Sequence, residues 1–165
     1  QQESEQKMSE AIKKTKPDAA DYQPYAGLVE ELLPHRKPFL FIDRVLHVDK
    51  IFTIGEMTFG EDMWFFAGHF PNYPVVPGVI LTETMAQCGG AGLVASEQIP
   101  RGAVFLLVGV DNAKFRRQVR PNDTVRMEIE NIRVSSRMAI QHGKAFVGDE
   151  LAAEAEFRCV LGPSA

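Results

Sequence analysis

Cysteine is scarce in this chain of 165 residues: Cys88 and Cys159 are the only two. Two thiols are too few to staple a disulfide scaffold. Long apolar runs are missing as well. The most apolar stretch, Val75 to Ala95, is interrupted by Glu83, Gln87 and several glycines, which argues against a membrane span. The N-terminus has no apolar core and carries Glu3, Glu5 and Glu10, unlike a signal or transit peptide. It begins with Gln1 rather than Met, as a processed or trimmed product does. There is no surplus of positive charge either: Lys and Arg total 18 against 22 Asp and Glu, a net charge of −4. Overall charge therefore gives no support to nucleic acid or a membrane as partner. These absences leave a soluble cytoplasmic protein as the expectation.

What is present is 45% hydrophobic and 24% charged residues, enough for one real core. Residues 1–26 are polar and read as an arm, partly disordered or helical at Lys7 to Lys16, and residues 27–165 as a single domain. Leu28 to Leu33 reads as one or two turns of amphipathic helix that stop at Pro34. Phe39 to Val48 and Ile51 to Phe59, rich in β-branched and aromatic residues, read as strands joined at Asp49-Lys50. Pro71, Pro74 and Pro77 then stiffen a loop that can be neither helix nor central strand. Val79 to Glu97 reads as a helix that is apolar on all sides and hence buried. Its glycines weaken it intrinsically but let a sheet approach. Strands follow at Val104 to Val110, Ala113 to Val119, Thr124 to Val134, Arg137 to Val147 and Leu151 to Leu161. The last alternates apolar with charged residues, and Gly148-Asp149 before it marks a hairpin. The order predicts an α+β fold, an antiparallel sheet wrapped around a long central apolar helix.

His69, in the proline loop, and Glu83, on the apolar helix, are the residues that chemistry would use. A carboxylate on a buried helix face is costly to leave ionised without a partner, and an imidazole nearby makes an acid–base pair. The alternative is a structural hydrogen bond for Glu83 and a satisfied loop histidine. Pro77-Gly78-Val79 opens the helix, where the first N–H groups lack internal partners and carry the positive end of the dipole. The Gly78 and Val79 amides could polarise a carbonyl oxygen; the alternative is a plain helix cap.

Four segments occur in order: Leu33-Pro34-His35-Arg36-Lys37-Pro38-Phe39-Leu40-Phe41-Ile42-Asp43-Arg44-Val45; Gly68-His69-Phe70-Pro71; Pro77-Gly78-Val79 with Glu83-Thr84-Met85-Ala86-Gln87; and Ala113-Lys114-Phe115-Arg116-Arg117 with Pro121-Asn122-Asp123. Together they resemble the hotdog-fold (3R)-hydroxyacyl-[acyl carrier protein] dehydratases of type II fatty acid synthesis, over about residues 28–161. The resemblance implies a hotdog fold with His69 and Glu83 as the catalytic pair, brought together across a dimer interface. It implies that His69 accepts the alpha proton of a 3-hydroxyacyl thioester. Glu83 would help the hydroxyl leave, by donating a proton or by orienting water. Gly78 and Val79 would bind the thioester carbonyl. It implies no cofactor and no metal, and a homodimer at least, with a trimer of dimers as the larger assembly. Asn72, Asn122 and Thr84 stand where the family commonly has Gly, Gly and Ala, and Glu83 rather than Asp argues against the branch that also isomerises the double bond.

Three further assignments follow. Gln87, four residues after Glu83 on the same helix face, is placed to orient Glu83 or the partner loop, and Phe105 is a candidate tunnel-lining or gating aromatic, with core packing as its alternative. If Ala113 to Arg120 is a strand, Lys114, Arg116 and Arg120 share one face. Such a stripe would steer acidic acyl carrier protein to the pocket mouth. The competing functions are a hotdog acyl thioesterase and a non-catalytic hotdog subunit of a heteromeric dehydratase.

Overall fold

Burying an apolar helix on all sides requires a sheet that curls around it, and a single six-stranded sheet does so here. The computed structural model describes residues 15–163. Strands β1 (Arg44–Val48), β2 (Phe52–Thr58), β3 (Phe105–Phe115), β4 (Thr124–Val134), β5 (Met138–Val147) and β6 (Glu150–Leu161) enclose helix α1 (Gly78–Ala95). The sheet order is β1-β2-β4-β5-β6-β3, antiparallel throughout, and α1 packs on all six strands. Among the described residues this order places β3 at the far edge from β1, with β6 as its one strand partner.

The β1–β2 hairpin forms where Asp49-Lys50 predicts it. Asp49 Oδ1 accepts from the amides of Ile51 and Phe52, both at 2.7 Å, an Asx turn that substitutes side chain for backbone. Gly148, before β6, has φ 58° as its hairpin position requires. Asn122 sits at φ 70°, so the residue that replaces the usual glycine in the Pro-Asn-Asp turn is one that tolerates left-handed backbone. Asn72 is not in that region, so nothing in its turn requires glycine. Thr84 is buried and donates to the Ile80 carbonyl one turn back at 2.7 Å.

Three expectations are corrected. The strand predicted from Phe39 begins only at Arg44, because the Phe41 amide and Phe39 carbonyl bond to the Gln87 side chain instead of a neighbouring strand. The segments Val104–Val110 and Ala113–Val119 are one strand, β3, ending at Phe115. Its register shifts between Asp111 and Lys114, with Asn112 at φ 53°, a bulge rather than a break. The stripe of Lys114, Arg116 and Arg120 therefore is not one strand face: Arg116 bonds Glu154 at 2.8 Å, and the Arg120 guanidinium lies 4.3 Å from the Tyr73 ring centroid.

Two of the glycines of α1, Gly89 and Gly92, are explained by side chains beneath them. A Cβ at Gly89 would overlap the Gln141 amide, and one at Gly92 would overlap the Thr53 side chain. Gln141 uses the space to donate to the Gly89 carbonyl at 3.2 Å and to Asn131 Oδ1 at 2.7 Å. The helix expected over residues 7–16 lies outside the described residues except for its last two, which are not helical. Beyond it, Lys16 reaches Glu128 at 2.9 Å and residues 23–25 run beside β1, bonding Val48 and Val45. No helix among the described residues is long and apolar enough to cross a membrane.

Candidate active site

The proline loop holds His69 by its backbone and its ring. Val75 N–H donates to the His69 carbonyl at 3.0 Å, Val76 N–H to the Val119 carbonyl at 2.8 Å, and Phe70 and Tyr73 exchange backbone hydrogen bonds. His69 Nδ1 lies 3.0 Å from the Val75 carbonyl. A carbonyl only accepts, so Nδ1 carries the proton of the neutral ring and Nε2 keeps its lone pair. The half-buried imidazole lines a cleft of about 350 Å³ with Gly78, Leu81 and Phe115. A Cβ at Gly78 would stand 3.0 Å from the Phe115 ring, a tight contact to which the ring would have to yield. The helix begins at this point: Ile80 and Leu81 amides bond back to the Pro77 carbonyl, leaving the Gly78 and Val79 amides ahead of the first helical hydrogen bond.

Glu83 lies on a different wall. Its side chain, 20% exposed, borders a cavity of about 20 Å³ shared with Leu33, His35, Gln87, Phe105 and Cys159. Gln87 Nε2 donates to Glu83 Oε1 at 3.1 Å and to the Phe39 carbonyl at 3.0 Å. Gln87 Oε1 accepts from Phe41 N–H at 2.7 Å, which fixes which end of the amide faces Glu83. Gln87 therefore ties Glu83 to the segment at Phe39 and Phe41, and Phe105 lines the same cavity. Burial, reinforced by the Glu83 charge, pushes the Cys159 thiol up to about 11. Within one chain His69 and Glu83 share neither a hydrogen bond nor a cleft.

His35 has no role in the sequence reading, yet its Nε2 lies 3.7 Å from Glu83 Oε1. Desolvation lowers its pKa, with Glu83 opposing and Arg36 assisting. A lone histidine beside a proline gives no periodic signal, so its inclusion in the Leu33–Val45 motif was the only hint. Phe115 and Tyr73 were likewise unassigned; Tyr73 donates to Gln118 Oε1 at 2.8 Å and supports Arg120.

A sheet wrapped on one apolar helix, with a loop histidine beside the helix N-terminus and a carboxylate further along it, defines a hotdog-fold protein equipped with acid–base side chains. Comparison with known proteins narrows this. Residues 33–156 match the model of the FabA-like domain, and the chain belongs to that family. A curated relative, the 3-hydroxyacyl-[acyl-carrier-protein] dehydratase FabZ of Moorella thermoacetica, is 42% identical over 135 residues, covering 81% of this chain and 94% of the relative. The FabZ of Bacillus cereus is 44% identical over 139 residues, covering 81% and 93%. Among solved structures, the dehydratase heterocomplex ApeI:P of Xenorhabdus doucetiae superposes with a TM-score of 0.69 at 15% identity, covering 86% of this chain and 93% of that one. The thioesterase HI1161 of Haemophilus influenzae gives 0.54 at 11% identity, covering 72% and 77%. At such identities these two share the fold.

Proposed function

We propose that this protein is a hydro-lyase, converting (3R)-hydroxyacyl-[acyl carrier protein] reversibly to trans-2-enoyl-[acyl carrier protein] in fatty acid or related acyl-chain synthesis. The observation that carries the reading is the identity of 42% and more to FabZ dehydratases across nearly their whole length.

His69 Nε2 takes the proton from C2 of the acyl chain. That electron pair becomes the C2=C3 double bond as the C3–O bond breaks, its electrons leaving with oxygen. The departing hydroxide takes a proton from the Glu83 carboxyl and leaves as water. Transfer of the proton held by His69 to the Glu83 carboxylate restores both groups. Gly78 and Val79 amides stabilise the negative charge that develops on the thioester oxygen while C2 loses its proton. Elimination beside a thioester needs acid, base and an electrophilic hole, so the reading involves no cofactor.

A second copy completes the site. β3 is a long edge strand with Leu106, Leu107, Val108, Val110 and Phe115 exposed, a surface that invites pairing. Its Phe105 end borders the Glu83 cavity, and Phe115 at its other end borders the His69 cleft. Antiparallel pairing of two β3 edges about a twofold axis reverses the ends. Glu83 of one protomer then faces His69 of the partner subunit. Arg116 and Arg117 line the cleft of His69, paired with Glu154 and with Asp123 and Glu150 respectively; with Lys114 and Arg120 they are the positive groups the reading offers to the acidic carrier, in the cytoplasm.

Incubation with 3-hydroxyacyl thioesters tests the reaction: enoyl product by absorbance and mass is expected. Free thiol without enoyl product would make it a thioesterase, and no turnover would make it a non-catalytic subunit. The site is tested by mixing. His69→Ala and Glu83→Gln each lose activity by roughly 100-fold or more, and exchange of their subunits restores part of it through the one intact site of each heterodimer. No recovery after verified exchange would overturn the shared site.

A further inference from the structure

The Glu83 carboxyl is approached by two nitrogens, and both come to the same oxygen. Gln87 Nε2 stands 3.1 Å and His35 Nε2 3.7 Å from Oε1. Resting on the dehydratase reading, we propose that His35 is a positioning residue: with Gln87 it holds Oε1 of Glu83, which leaves Oε2 as the oxygen that gives up the proton.

The loop before β1 is built to hold the imidazole there. Arg36, next in the chain, donates to the carbonyls of Leu33 at 2.8 Å, His35 at 2.7 Å and Glu30 at 3.1 Å. Gln87 ties the same segment down at Phe39 and Phe41. One stretch of chain therefore supplies His35 directly and fixes the amide of Gln87. Among the described residues His35 Nδ1 is buried without a hydrogen-bond partner. An orphaned N–H is the rarer of the two ways to leave such an atom, so the proton resides on Nε2, pointing to the carboxyl. Desolvation keeps the ring neutral, so His35 donates without forming a buried ion pair. A separation of 3.7 Å is too long for a direct hydrogen bond. Catalytic hydrogen bonds are commonly long before substrate binds, and the cavity of about 20 Å³ between these groups has room for one bridging water.

A polar atom kept buried without a partner is a stability cost. A structural histidine and a positioning histidine therefore differ in what replacement does. His35→Leu removes the orphaned nitrogen, so its melting temperature is expected to equal or exceed that of the wild type. Its kcat falls roughly tenfold or more with KM little changed, and a limb of its kcat–pH profile moves by about half a unit or more. His35→Gln, which keeps a donor, is expected to recover part of kcat. A kcat within about twofold of wild type and an unmoved profile in His35→Leu would overturn the proposal. So would equal losses in both variants, or a loss of activity that follows a loss of stability. His69→Ala and Glu83→Gln run alongside: if they retain enoyl formation, the site reading fails, whereas if they lose it while His35→Leu does not, only the role of His35 fails.

Discussion

At the scale of single residues, the protonation of His35 links the site to stability. Its folded pKa lies below the ordinary 6.5 because burial opposes the charged form. Between those two values the unfolded chain binds a proton that the folded chain refuses, so stability rises with pH there. The stabilisation is complete above 6.5 and is lost as pH falls below it toward the folded value. The urea midpoint of the wild type is therefore expected to fall more steeply from about pH 7 to about pH 5 than that of His35→Leu, which has no such proton. Equal slopes would show that another group governs this range. The same residue marks the limit of what the sequence discloses. Gln87 was legible because a four-residue spacing on a helix is a local rule. His35 was not, since its meeting with Glu83 depends on how an irregular loop crosses the helix, which no periodicity encodes.

At the scale of elements, the strand pattern was legible where strands are regular and failed where a side chain or a bulge intervenes. The predicted bounds of β4, β5 and β6 agree with the observed strands to within one residue. Phe39 to Asp43 has the composition of a strand, but Gln87 takes the Phe41 amide and the Phe39 carbonyl, and Asn112 lets β3 continue through a position that reads as a break. The helix shows the converse at Gly89 and Gly92, which are costly by propensity but required by what lies under them. Gly92→Ala is expected to destabilise the fold by about 1–3 kcal/mol, because its methyl would overlap Thr53 in a packed interface. At Gly90 the nearest atom to an added Cβ is on Phe105 at 3.5 Å, an ordinary contact. Gly90→Ala is therefore expected to be neutral or to stabilise by up to about 1 kcal/mol through helix propensity. Chemical denaturation of the two variants reads the difference. If both behaved alike, packing against Thr53 would not be the reason for the glycine.

At the scale of the whole molecule, the chain folds a core without assembling its proposed site. His69 and Glu83 occupy different clefts, and the surface that would join them is β3, whose edge is unpaired among the described residues. Val108 is 58% exposed at the middle of that edge and borders neither cleft, which makes it a probe of assembly alone. In a twofold interface one substitution appears twice at close quarters, so Val108→Asp sets two carboxylates against each other in an apolar seam, where like charges cost most. The variant is expected to retain its circular dichroism spectrum, to run as a single protomer by light scattering, and to lose dehydration although both site residues are intact. Retained activity in a verified monomer would place the whole reaction within one chain. A variant that stays dimeric and active would move the interface away from β3. Loss of activity together with dissociation is the outcome that a site divided between two copies requires.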